Sequence, residues 1–100
     1  MELTIKDRLV IPELLPRHGR LIEMQLVNSI MQLVLFAPAE IHEFEIKDSQ
    51  TGTVWNPKKE RMIDKQFTPE QITIIKKGID NLDKDSQITP EMVETIMKFQ

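Results

Sequence analysis

Apolar residues recur at helical spacing toward both ends of the chain and alternate with polar ones in the middle. The densest block runs from Leu21 to Phe36, where 11 of 16 residues are apolar. On a helix turning about 100° per residue, Gln25, Asn28, Ser29 and Gln32 fall within an arc of roughly 100°. Glu23 alone lies opposite, in the first turn. The pattern predicts a helix over residues 20–35 whose apolar side chains cover most of its circumference. Such a helix needs cover on several sides, from its own chain or from another copy.

Shorter elements flank this block. Thr4 followed by Asp7 signals a helix start, with a carboxylate where the helix dipole favours it. Ile5 and Leu9 share a face, and Pro12 and Pro16 predict that this first helix kinks or stops near Ile11. Leu14 and Leu15 follow as buried anchors. Residues 16–20 then form a turn in which Gly19 is free to adopt a conformation that other residues avoid. Phe36-Ala37-Pro38, Phe67-Thr68-Pro69-Glu70 and Ile88-Thr89-Pro90-Glu91 each place a hydrophobe before a cap position and a proline at the first helical position. The two threonines are strong caps, and Gln71 completes a capping box with Thr68. Their spacing is unequal, so the device is punctuation rather than a repeat.

A short third helix is expected over residues 38–43. Between residues 44 and 67, alternation at Phe44 and Ile46, the strand-type run Thr53-Val54-Trp55 and renewed alternation from Met62 predict a small antiparallel hairpin or three-stranded meander. Turns fall at residues 49–52 and at Asn56-Pro57. Ile72, Ile75, Ile79 and Leu82, then Met92, Val93, Ile96, Met97 and Phe99, predict a closing helical hairpin. The whole is a single α+β domain over residues 1–100, predominantly helical. A central apolar helix is packed by an N-terminal helix and the C-terminal hairpin, with a small β element around 44–67.

Composition narrows the function classes. The charged fraction is 29% and the net charge −3. That is too balanced for a disordered tail and too acidic for generic attraction to phosphate backbones. With no cysteine, disulfide scaffolds, thiolate zinc sites and cysteine nucleophiles are excluded. The first residues are charged and periodic without an apolar core, so no signal peptide is expected. The apolar block at 21–36 is too short and too interrupted by polar residues to span a bilayer. A soluble protein without a membrane partner is expected.

The oxygen-rich turn from Asn81 to Met92 has EF-hand-like spacing. Ser86, however, replaces the glycine that makes the sharp turn, and Met92 replaces the closing glutamate. A polar turn followed by a cap is expected, with no metal and no cofactor. Arg17, His18 and Arg20 cluster before a helix N-terminus, where they form solvated loop charges or an anion or partner contact. Lys58, Lys59, Arg61 and Lys65 form a second basic stretch, diluted by Glu60 and Asp64, which suits a solvated hairpin edge. His18 and His42 are the only histidines. Neither has the spacing of a metal pair or a nucleophile triad, although Glu40, Glu43 and Glu45 flank His42. Met24, Met31, Met92 and Met97 lie on apolar helical faces and favour core packing over a partner groove. Trp55 is a packing anchor if buried and the leading partner hot spot if exposed.

The opening Leu3-Thr4-Ile5-Lys6-Asp7-Arg8-Leu9, with Ile11-Pro12, Leu14-Leu15-Pro16 and Gly19, resembles the start of a group of small proteins encoded in bacteriophages and prophages. The likeness continues more weakly through Trp55-Asn56 and the closing helices. It implies a phage-related origin and a bacterial cytoplasm. Its motifs are structural and the group carries no assigned activity, so no functional residue is transferred. From the residues, the expected function is a non-enzymatic interaction or assembly protein, with a protein partner or self-association covering the 20–35 helix. Arg17, His18, Arg20 and Trp55 are the candidate partner-binding residues. A nucleic-acid-binding regulator using the two basic stretches is the disfavoured alternative. An enzyme would need a pocket that joins His18 or His42 to a carboxylate.

Overall fold

The computed structural model describes residues 1–100. A two-residue strand, β1 (Glu2–Leu3), leads into α1 (Ile5–Leu14). Thr4 starts the helix as its sequence suggests. Its hydroxyl accepts from the Asp7 N–H at 3.0 Å, and the Asp7 carboxylate accepts from the Thr4 N–H at 3.0 Å, closing a capping box. The helix runs on through Pro12 rather than stopping near Ile11. A proline removes a single amide bond, whereas Ile11, Leu14 and Leu15 around it are all buried. Tertiary packing outweighs the local break.

α2 (Leu21–Val34) follows an extended bend. Gly19 in that bend stays outside the left-handed region, so its expected special conformation is not used. Glu23 accepts from the Arg20 N–H at 3.0 Å and covers one open amide of the first turn. α3 (Pro38–Phe44) begins at its proline, with Glu40 accepting from the Ala37 N–H at 2.9 Å. It ends at Glu45, whose φ of 55° lets the Ile46 N–H reach back to the Ile41 carbonyl.

The middle of the chain forms two separate two-stranded sheets, not a meander. β2 (Lys47–Ser49) and β3 (Gly52–Val54) make an antiparallel hairpin with Lys47 opposite Val54 and Ser49 opposite Gly52. Gly52, at φ 122°, holds a backbone shape closed to other residues. After a 3₁₀ turn at Pro57–Lys59, capped by Asn56, β4 (Ile63–Asp64) leaves the hairpin and pairs antiparallel with β1, Leu3 opposite Ile63. Fully buried Leu3 makes that pairing the better use of the strand.

α4 (Pro69–Lys84) opens with the Thr68–Gln71 capping box, its two reciprocal bonds 3.1 and 2.9 Å long. It closes at Ser86, whose φ of 55° allows the Gln87 N–H to reach the Leu82 carbonyl at 2.8 Å. The oxygen-rich turn after Asn81 thus serves as a helix stop. A 3₁₀ turn at Pro90–Met92 leads into the short α5 (Val93–Met97). Thr89 precedes that turn without bonding its amides through the hydroxyl. Met92, Ile96 and Phe99 are buried while Val93 and Met97 stay exposed, so only part of the expected apolar face is used.

The helix at the centre is α1. Ile5, Asp7, Arg8, Val10, Ile11 and Leu14 are buried around most of its circumference, and α2, α4 and α5 all pack on it. The expectation of a central 20–35 helix is corrected accordingly. α2 buries only Val27, Ile30 and Val34. Its polar arc, with Gln25, Asn28, Ser29 and Gln32 all exposed, must face water, and a helix with such an arc cannot be enclosed. α4 approaches α1 closely at Gly78, where an added Cβ would lie 2.0 Å from the Leu14 carbonyl oxygen.

Candidate functional site

Two buried charges on α1 come first, because both are consumed by the fold. Arg8 is 2% exposed. Its Nε donates to the Val34 carbonyl at 3.0 Å and its Nη2 to the Leu35 carbonyl at 2.7 Å, closing the C-terminal end of α2. The same guanidinium grips Glu40 with both terminal nitrogens, at 2.6 and 2.9 Å, and lies 4.2 Å from the centre of the Phe36 ring. That hydrogen-bonded pairing holds the Glu40 carboxyl at about 2 against an ordinary 4.5, burial opposing and the Ala37 N–H assisting.

Asp7 faces the other way. Burial pushes its carboxyl up, but hydrogen bonds from Lys98, the Thr95 hydroxyl and the Thr4 N–H together outweigh it and leave the group below its usual range. Thr95 Oγ1 donates at 2.7 Å, and Lys98 Nζ donates to the same carboxylate and to the Glu2 carbonyl. No buried side-chain polar atom in the molecule lacks a partner. Neither charge is left to meet a ligand.

What remains open is a trough floored by the outer face of α1. On one side, Leu9 and Pro12 meet Met31, Val34, Leu35 and Phe36 around an apolar hollow of about 240 Å³. It continues past Pro12 and Met31 to a groove between Leu15, Arg17, Met24 and Asn28. On the other side of α1, Leu9 and Glu13 face the hairpin tip at Thr51–Thr53, with Trp55 and Glu91. α2 forms one wall and the β2–β3 hairpin the other.

The four candidate residues occupy two ends of this surface. Arg17 and His18 are exposed at the bend after α1 and line a hollow with Glu13, Asn81 and Asp85. Arg20 is exposed at the start of α2. Trp55 is half-buried beside α1, its Nε1 donating to Glu60, which also accepts from the Ile5 N–H at 2.8 Å. It thus lies between the two expectations, neither enclosed nor fully exposed, and lines the hollow beside Leu9 and Glu13. Glu13 lines the hollows at both ends, but the basic trio and Trp55 do not form one site. Met31, expected to favour core packing, is instead 44% exposed on this surface, joined by Leu35, Leu9, Pro12 and Phe36, which the sequence does not single out. The signal for them was the apolar surplus of the 20–35 block, which does not say which members stay outside.

The other chemistry is placed as follows. Lys59 pairs with Glu45 at 2.9 Å and Arg61 with Glu43 at 3.1 Å, so half of the second basic stretch is neutralised locally. His18 and His42 are exposed, each in a shallow hollow that also holds a carboxylate, and neither ring is hydrogen-bonded to one. No single helix is long and apolar enough to cross a membrane, and α2 reaches such length only together with α3, bent from it by 47°. Comparison with protein families, with characterised proteins and with solved structures finds no match to this chain.

Proposed function

We propose that the chain is a non-enzymatic interaction or assembly protein that docks a protein partner along the α1–α2 side of its trough. The observation that carries this reading is the exposure of large apolar side chains on α2 and its C-cap residue: Leu21 77%, Ile22 68%, Met31 44% and Leu35 63%. Single exposed hydrophobes are ordinary, but Met31 and Leu35 adjoin an apolar hollow and are rimmed by Asn28, Gln32 and Arg17. Contiguous apolar surface with a polar rim favours a protein contact. A phage-related origin and a bacterial cytoplasm, which rest on the N-terminal sequence pattern, belong to the same proposal.

The nucleic-acid alternative has less support, because Lys59 and Arg61 are already paired with glutamates and the net charge is negative. Binding of a duplex that weakens steeply with added salt would favour it. The interaction reading is tested by capturing the tagged protein from its native cell beside a Met31→Glu/Leu35→Glu variant. Both changes are on exposed positions and should leave the fold intact by circular dichroism. A recovered partner that falls at least about tenfold with the variant supports the reading, and recovery unchanged by the variant overturns it.

A further inference from the structure

The two strands of the hairpin present unlike edges. β2 carries Lys47 and Asp48, charges that discourage a neighbouring strand. β3 continues into Trp55 and reads Gly-Thr-Val-Trp, with no charge and no proline. Ser49 opposite Gly52 is the hydrogen-bonded pair that closes the two-residue loop, and Lys47 stands opposite Val54. Bonded and non-bonded pairs alternate along an antiparallel ladder, so Thr53 lies between two bonded positions. Its N–H and C=O therefore point away from β2. The sheet has two strands only, and no other backbone group pairs with them.

This open edge borders the trough. The hollow between the hairpin and α1, about 540 Å³ in volume, is lined by Thr51, Gly52, Thr53 and Trp55 and by no residue of β2. Thr53 and Trp55, two residues apart, share the face turned to α1, and Val54 is exposed on the other. Across the hollow stand Leu9, Glu13 and Glu91, with Lys6. Glu13 and Glu91 are exposed, pair with none of the chain's own cations, and outnumber Lys6.

We infer that this edge takes an extended basic segment of a partner protein, added antiparallel beside β3 as a third strand. The partner residue opposite Thr53 then exchanges both backbone bonds with it, and its side chain enters the hollow on the Trp55 face. A lysine or arginine there lays its stem along Leu9 and brings its charge to Glu13 or Glu91, with the Trp55 ring beside it. The alternate residues lie beside Val54 and are apolar. Main-chain bonds supply the attachment and the alternating side chains the selection. An acidic segment would set like charges together and is rejected. Residues 52–55 span about 13 Å, so the contact is short and reversible. It lies across α1 from the α2 contacts and does not depend on them.

Trp55 is the only tryptophan and the chain has no tyrosine, so its fluorescence reports this edge cleanly. The probe is a hexapeptide of alternating arginine and valine, blocked at both ends. Titration should change the emission saturably, with a midpoint below about 1 mM. Glu13→Gln/Glu91→Gln, both at exposed positions, should keep the circular dichroism and weaken binding at least about tenfold. Met31→Glu/Leu35→Glu should leave binding unchanged, which separates this site from the α2 contacts. Methylating the arginine amides of the probe should abolish binding, because those N–H groups face Thr53, whereas methylating the valine amides should not. No saturable change up to about 1 mM, or equal binding of a peptide with glutamate in place of arginine, overturns the inference. Binding that survives methylation of the arginine amides overturns the added strand.

Discussion

Asp7 and Arg8 are neighbours of opposite charge that hold different parts of the chain. Arg8 ties α1 to the end of α2 and the start of α3, and Asp7 ties it to the segment after α5. Both carboxylates in these networks sit below their ordinary range, Glu40 at about 2. A depressed folded-state value means that the associated stability is fully present above the unfolded-state value near 4.5 and is lost as pH falls toward 2. Melting temperature should therefore decline on acidification below about pH 4.5, and Glu40→Gln should flatten that decline while lowering stability at neutral pH. Arg8→Met should destabilise by about 3–5 kcal/mol in urea titration, because it strands Glu40 and two helix-end carbonyls. Thr4 with Asp7 was legible from sequence because a cap is written in four consecutive residues. Arg8 was not. Its partners lie 26 to 32 positions away, and a charge on a helix is ordinarily a surface residue.

At the scale of elements, local signals served well and non-local ones poorly. The proline-marked starts of α3 and α4, the Thr68–Gln71 box and the 47–54 hairpin appear where neighbouring residues require them, whereas Pro90 opens only a 3₁₀ turn that the Thr89 hydroxyl does not cap. Strand β4 was legible as a strand but not as the partner of β1, since alternation records exposure on two faces and not the identity of the neighbour. Gly78 carries no such local signal, because an isolated glycine within a helical pattern is tolerated and only the facing Leu14 backbone shows why it must be small. Gly78→Ala would drive a methyl into the Leu14 carbonyl and should lower stability by about 2–3 kcal/mol, seen as a lower urea midpoint. Ser86→Gly should do the reverse. It removes the strain of a left-handed serine at the end of α4 and should add about 1 kcal/mol in the same measurement.

Across the whole molecule, hydrophobic density misidentified the centre. The 20–35 block is richer in apolar residues than α1, yet α1 is the enclosed helix because several elements of the chain converge on it. Enclosure depends on what packs from elsewhere, and a helix's own sequence reports only what it can tolerate. The surplus left on α2 is where the proposed contacts lie. The last elements complete the enclosure, with Thr95, Ile96, Lys98 and Phe99 reaching back to β1 and α1. Deleting residues 90–100 should abolish cooperative thermal unfolding, monitored by circular dichroism, since it uncovers Asp7 together with the apolar face around Leu3 and Val10. The same closure has a consequence during synthesis. A nascent chain carries residue 7 without these partners until residues 95 and 98 have left the ribosomal exit tunnel, so this closure forms only after the elements before it have been made.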